Sequence, residues 1–218
     1  MLCVFRGFPS RRVAYYTIAQ LLGAFTAGGI AFGIYSDSIR HFNNGQLLAT
    51  PGTGTGGGVI YTQPKYWIRP AAAFFNEFVA ATILGIGILA LGDDTNAPPG
   101  AGMHAFIIGL FSTVLSMAFG YNTNNCLNPA RDLGPRLVAQ FAGYGSGQVW
   151  TSANYWWIWG PWVADVTGTL FGGLLYDFLC FTGPESPVNY PLDRWKFGWR
   201  RRRAWQSERQ NAEKNLRT

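Results

Sequence analysis

Asn128, Pro129, Ala130, Arg131 and Asp132 form one unbroken run between two long apolar stretches, and their chemistry is hydrogen-bond donation, not covalent catalysis. Asn128 is a favoured helix N-cap and Pro129 a favoured first helical residue, because the cap side chain meets an orphan amide and proline has none to orphan. A helix over residues 129–141 is about 20 Å long at about 1.5 Å per residue, short of the roughly 30 Å apolar core of a bilayer. Such a segment dips into a membrane without crossing it. Its N-terminus then brings unpaired N–H groups and about half a positive charge into the apolar interior, which is tolerated only where backbone lines a cavity or is covered by protein. Arg131, one turn in, adds a planar fork of donors and a fixed charge. These groups can replace the water of a small neutral solute while repelling cations. An ordinary surface loop with a helix cap is the competing reading of Asn-Pro taken alone.

The remaining ionisable residues narrow the chemistry. Glu77 lies within an apolar stretch, where a carboxylate is costly unless it is paired or hydrogen-bonded; the orphan amides ahead of Pro129 are its expected partners. Asp165 is a second carboxylate inside an apolar stretch and needs a partner the sequence does not identify. His41 and His104 are isolated, and Cys3, Cys126 and Cys180 are an odd, scattered set without metal spacing. No metal, cofactor or catalytic constellation is indicated, so the expectation is not an enzyme.

Around these residues the chain supplies membrane-spanning elements. Of its 218 residues 48% are hydrophobic and 16% aromatic, and residues 13–35, 72–91, 104–121 and 155–178 each meet the length rule for crossing a bilayer. The formal charge of +6 is concentrated at the end: residues 194–217 hold nine basic residues against Glu208 and Glu213. A basic block just past a span reads as a cytoplasmic anchor facing anionic lipid, not a nucleic-acid site. Arg6, Arg11 and Arg12 precede the first span and argue for the same side, so both termini are expected in the cytoplasm. Residues 36–69 form a long loop whose Pro51 to Gly58 run lacks the Gly-Lys-Ser/Thr of a phosphate loop and reads as flexible. Small residues recur in the first span (Ala19, Gly23, Ala27, Gly28) and in the last (Ala164, Gly168, Gly172, Gly173), which predicts close helix packing and hints weakly at an internal repeat. The domain division expected is a membrane-embedded domain over 1–183 and a basic cytoplasmic tail over 184–218.

Gly120-Tyr121-Asn122-Thr123, followed by Asn128 through Arg136, closely resembles the second signature loop of the aquaporin (major intrinsic protein) family, and specifically its glycerol-conducting, aquaglyceroporin branch. The resemblance implies an all-α membrane protein: four transmembrane helices plus one re-entrant half-helix, equivalent to the C-terminal two-thirds of the six-helix aquaporin fold. It implies facilitated diffusion of water, glycerol and small polyols, and a homotetramer. Control by pore width, lining donors and helix-dipole barriers is the established account of aquaporin-type channels and is taken over from it. By resemblance, Asn128 donates to the permeant at mid-pore, Arg131 belongs to the selectivity filter, and Glu77 supports the re-entrant loop. Asp132 and Arg136 match residues separating glycerol from water channels, and Pro161 and Trp162 fall where glycerol channels place a proline and an apolar residue. Asn125 departs from the pattern, which has an aromatic there, and predicts a wider or more polar filter. Asp165 departs from it too. Cys3 to Pro9 resembles the stretch just after the family's first Asn-Pro-Ala loop, so the match implies an N-terminally truncated form with impaired conduction, or a nonconducting subunit packing with full-length relatives.

Overall fold

The computed structural model describes residues 1–47, 60–100, 102–183 and 186–188, and all regular structure among them is helical. The short α1 (Leu2–Phe5) leads into the long α2 (Ser10–Phe42). Then follow α3 (Pro70–Leu91), α4 (His104–Thr123) and the shorter α5 (Pro129–Ala142). The chain closes with a π-turn (Gly147–Thr151), α6 (Ser152–Ile158), a π-helical segment (Trp159–Ala164) and α7 (Asp165–Leu179). The Gly-rich run 51–58 and nearly all of the basic tail lie outside the described residues.

Element ends follow local chemistry. α3 begins two residues before the expected 72 because Pro70 occupies its first turn, where a missing N–H costs nothing. α2 runs past the expected 35 through Ser36, Asp37, Arg40 and His41: polarity ends the apolar stretch but not the helix, and Arg40 and His41 suit the negative C-terminal end. The last apolar stretch is not one regular helix. Ala153, Asn154 and Tyr155 have φ of 48°, 54° and 61°, left-handed values that break the backbone where the stretch enters. Pro161 then lies within the π-helical segment, as expected of a residue that cannot donate to the ladder.

α2, α3 and α4 are long and apolar enough to cross a membrane. Much of their apolar surface faces outward: Ile34 of α2 is 68% exposed and Met117 of α4 is 80% exposed. In water such surface would be buried; in lipid, association depends instead on close packing and polar contacts. Glycines provide that closeness. α3 packs along α7, and a Cβ at Gly85 would lie 2.7 Å from the Thr169 carbonyl oxygen. Gly168 and Gly172 press on the Phe78 and Thr82 backbone from the other side, and Thr82 Oγ1 donates to the Gly168 carbonyl at 3.1 Å. α2 packs on α5 in the same way, with Gly28 against Pro135 and Gly134 against Ala24 and Phe25.

A polar knot closes one end of the bundle. Arg6 donates through Nη1 and Nη2 to Asp177 at 3.1 and 2.8 Å while stacking 4.0 Å over the Phe181 ring. Asp93, just beyond α3, accepts from the Thr95 N–H, the Thr95 hydroxyl and the Tyr176 phenol at 2.9, 2.7 and 2.7 Å. Burial acts to raise the Asp93 carboxyl, but these donors outweigh it and hold the group below the ordinary carboxylate range.

Candidate functional site

The site is the loop of residues 124–128 between α4 and α5, and sequence accounts for its shape. Asn124, Asn125 and Leu127 have φ of 68°, 49° and 58°. Asparagine tolerates the left-handed region because its short amide bonds locally; Leu127 does not, and is held there by tertiary contacts. The holder is Glu77 of α3, fully buried, whose Oε1 and Oε2 each accept from the Cys126 N–H at 3.0 Å while Oε2 also accepts from Leu127 N at 3.4 Å. Glu77 thus meets two consecutive amides of the loop ahead of Pro129. Asn76, one position earlier, binds the end of α4 through Phe119 O (3.0 Å) and Thr123 Oγ1 (2.9 Å) and accepts from Asn122 at 3.1 Å. Two adjacent polar residues of one helix thus fix both ends of the turn.

Asn128 caps α5, its Oδ1 accepting from Ala130 N at 2.9 Å. Its Nδ2 donates to Gln20 Oε1 of α2 at 3.2 Å. Asn128 and Pro129 line a cavity of about 570 Å³ with Tyr16, Thr17, Gln20 and Asp165. Gln20 was not anticipated, although an amide midway along an apolar span is itself a signal, since such a group seeks a polar partner.

The other expected residues lie elsewhere. Ala130 is buried behind the cap, and Arg131 is exposed and outside the cavity wall. Asn125 is buried, with Nδ2 donating to Ser116 Oγ at 3.2 Å. Pro161 is buried and Trp162 40% exposed, neither on the cavity wall. Asp132 and Arg136, one turn apart on α5, form a buried ion pair. Asp132 also accepts from the Thr62 N–H at 2.9 Å and from its hydroxyl. Arg136 donates to the carbonyls of Val149 (2.5 Å) and Thr62 (2.6 Å) and sits 4.4 Å over the Tyr61 ring. Trp156 Nε1 completes the set by donating to Thr62 Oγ1 at 3.1 Å. Asp132 and Arg136 stand four residues apart on one helix face, where a guanidinium meets a carboxylate directly. Tyr61, Thr62 and Trp156 carry no signal in sequence, because each is defined by a partner some 70 or more positions away.

The family model described as Major intrinsic protein matches residues 1–176. The chain is 51% identical over 207 residues to Aquaglyceroporin-4 of Botryotinia fuckeliana (strain B05.10), covering 94% of this chain and 28% of that protein. It is 44% identical over 190 residues to Aquaglycerol porin AQY3 of Saccharomyces cerevisiae (strain ATCC 204508 / S288c), covering 87% and 29%. It thus spans less than a third of the length of these two relatives. Among solved structures, the aquaglyceroporin from Plasmodium falciparum superimposes with a TM-score of 0.68 at 26% identity, covering 82% of this chain and 69% of the other. A glutamate-anchored loop, an Asn-Pro-capped short helix, and these matches over most of the chain agree: the protein belongs to the Major intrinsic protein family.

Proposed function

We propose that this chain forms part of a conduit for facilitated diffusion of water, glycerol and small uncharged solutes across a bilayer, and that it catalyses no reaction. As a member of its family it is a multi-pass integral membrane protein. The observation that carries the proposal is the Asn128 carboxamide, set on the cavity wall at the positive end of α5 with its orientation fixed by Ala130 N and Gln20. A donor held in advance replaces solute hydration at little cost, and the helix end behind it disfavours cations. In this reading α5 is the re-entrant half-helix, Glu77 its support, Arg131 the filter cation and Asn125 a neighbouring filter residue. The buried Asp132–Arg136 pair braces the half-helix against residues 61–62, while Pro161 and Trp162 shape the last span. The assembly is a homotetramer in the lipid bilayer, with no nucleic-acid partner and both termini cytoplasmic. The spans cover about 13–35, 72–91, 104–121 and 155–178.

A second reading, a nonconducting subunit packing with longer relatives, is favoured by the outward apolar surface of α2, where Tyr16, Leu22, Ile30 and Ile34 are all more than half exposed. One experiment separates the two. Vesicles containing the full chain are mixed with a glycerol gradient and followed by light scattering. Conduction predicts reswelling faster than in empty vesicles, abolished by Arg131→Trp. A rate equal to that of empty vesicles rejects conduction by this chain and leaves the subunit reading.

A further inference from the structure

Two carboxyls from different helices meet behind the loop. Glu77 of α3 is fully buried, and Asp165, which opens α7, is 1% exposed. They are hydrogen-bonded to each other, and Asp165 also meets the Cys126 thiol. An ionised carboxyl only accepts, so a hydrogen bond between two of them exists only when one carries a proton. Doubly ionised, the pair would set two like charges side by side among apolar spans, which is costly. The groups that act most strongly on Asp165 are Glu77, Cys126 and Asp132, and no cation stands among them.

The surrounding donors distinguish the two members. Glu77 accepts from the Cys126 and Leu127 amides and from the Thr123 hydroxyl. With Asp165 as a further donor, every one of these partners donates, which is the setting of a carboxylate. Asp165 has no comparable supply. The Cys126 thiol is a weak donor with one hydrogen, and it also faces the Asn128 carbonyl at 3.2 Å. Nor does Asp165 cap a free helix end: Ala164 before it is itself helical (φ −65°, ψ −46°), and the chain runs into α7 from the π-helical segment. Asp165 also lies on the wall of the Asn128 cavity, so a proton on it leaves that wall without a negative charge at this point.

We propose that Asp165 is held as the neutral acid and donates its proton to the Glu77 carboxylate, a positioning contact by which the loop of residues 124–128 hangs from α7 as well as α3. The full chain in vesicles at neutral pH is examined by infrared spectroscopy in the carbonyl-stretch region of protonated carboxyls, where ionised Asp and Glu do not absorb. Wild type should show a buried-acid band that is lost in Asp165→Asn and retained, but displaced, in Glu77→Gln, whose amide is a different acceptor. No band in wild type, a band unchanged in Asp165→Asn, or a band lost only in Glu77→Gln overturns the assignment. The positioning role is read at Cys126, 3% exposed. Asp165→Asn, whose amide still donates to Glu77, should leave the thiol as slow to react with maleimide as in wild type. Asp165→Leu, which fills similar space without a donor, should speed labelling about tenfold, the scale of a lost buried hydrogen bond. Equal labelling of the two variants overturns that role. If Asp165→Leu does not fold, the spectra of wild type and Asp165→Asn still decide whether the proton is there. Neither readout involves flux, so failure here leaves the conduit reading to its own test.

Discussion

At the scale of single residues, the site depends on one buried carboxylate. Glu77 accepts from two consecutive loop amides, and a buried polar group that loses its partner costs about 1–3 kcal/mol. Glu77→Gln keeps the size but turns one acceptor oxygen into a donor facing an N–H. It should lower the thermal midpoint in detergent by roughly 5 °C and make Cys126, 3% exposed, reactive to maleimide. An unchanged midpoint with Cys126 still protected would mean that the loop does not hang on Glu77. This role was legible in the sequence, because a carboxylate within an apolar stretch demands donors and the chain has a natural supply just before Pro129. The role of Arg136 was not. Its contacts on Val149 and Thr62 are backbone carbonyls, which every residue has and no sequence pattern marks.

At the scale of elements, glycine sets how near the helices come, but only at some positions. A Cβ at Gly168 would collide with the Phe78 backbone, whereas at Gly33 and Gly23 it would meet nothing within 4 Å. Gly168→Ala should therefore cost about 1–3 kcal/mol through overpacking, with a matching fall in resistance to denaturation in mild detergent, while Gly33→Ala should be neutral or slightly stabilising by helix propensity. Equal effects at the two sites would show that α3 and α7 are not locked by their glycines. The four-residue spacing of small residues correctly announced close packing, and it could not say which helix each would meet. Gly28 meets α5 and Gly168 meets α3. Likewise the apolar length of the last stretch was readable, but the left-handed Ala153, Asn154 and Tyr155 were not, since none is a glycine and only tertiary contacts hold them there.

At the scale of the whole molecule, the Arg6–Asp177 pair ties the start of the chain to the end of α7, so Cys3 and Cys180, both exposed, lie toward one end of the bundle. If that end is cytoplasmic, a membrane-impermeant maleimide added to intact cells should label neither, and after the membrane is opened should label both, with Cys126 protected until denaturation. Labelling of Cys180 in intact cells would reverse the orientation. Sequence alone determined the apolar stretches, the helix start at Pro129, the shortness of α5 and the need of Glu77 for donors, because these follow from length, capping and the cost of charge in an apolar medium. Only the tertiary structure decided that Asp132 belongs to Arg136 and Thr62, that Gln20 orients Asn128, and that Asp165 faces the same cavity. The reason is physical: local rules act within a few residues, while a partner across the bundle is chosen by the packing of the entire chain.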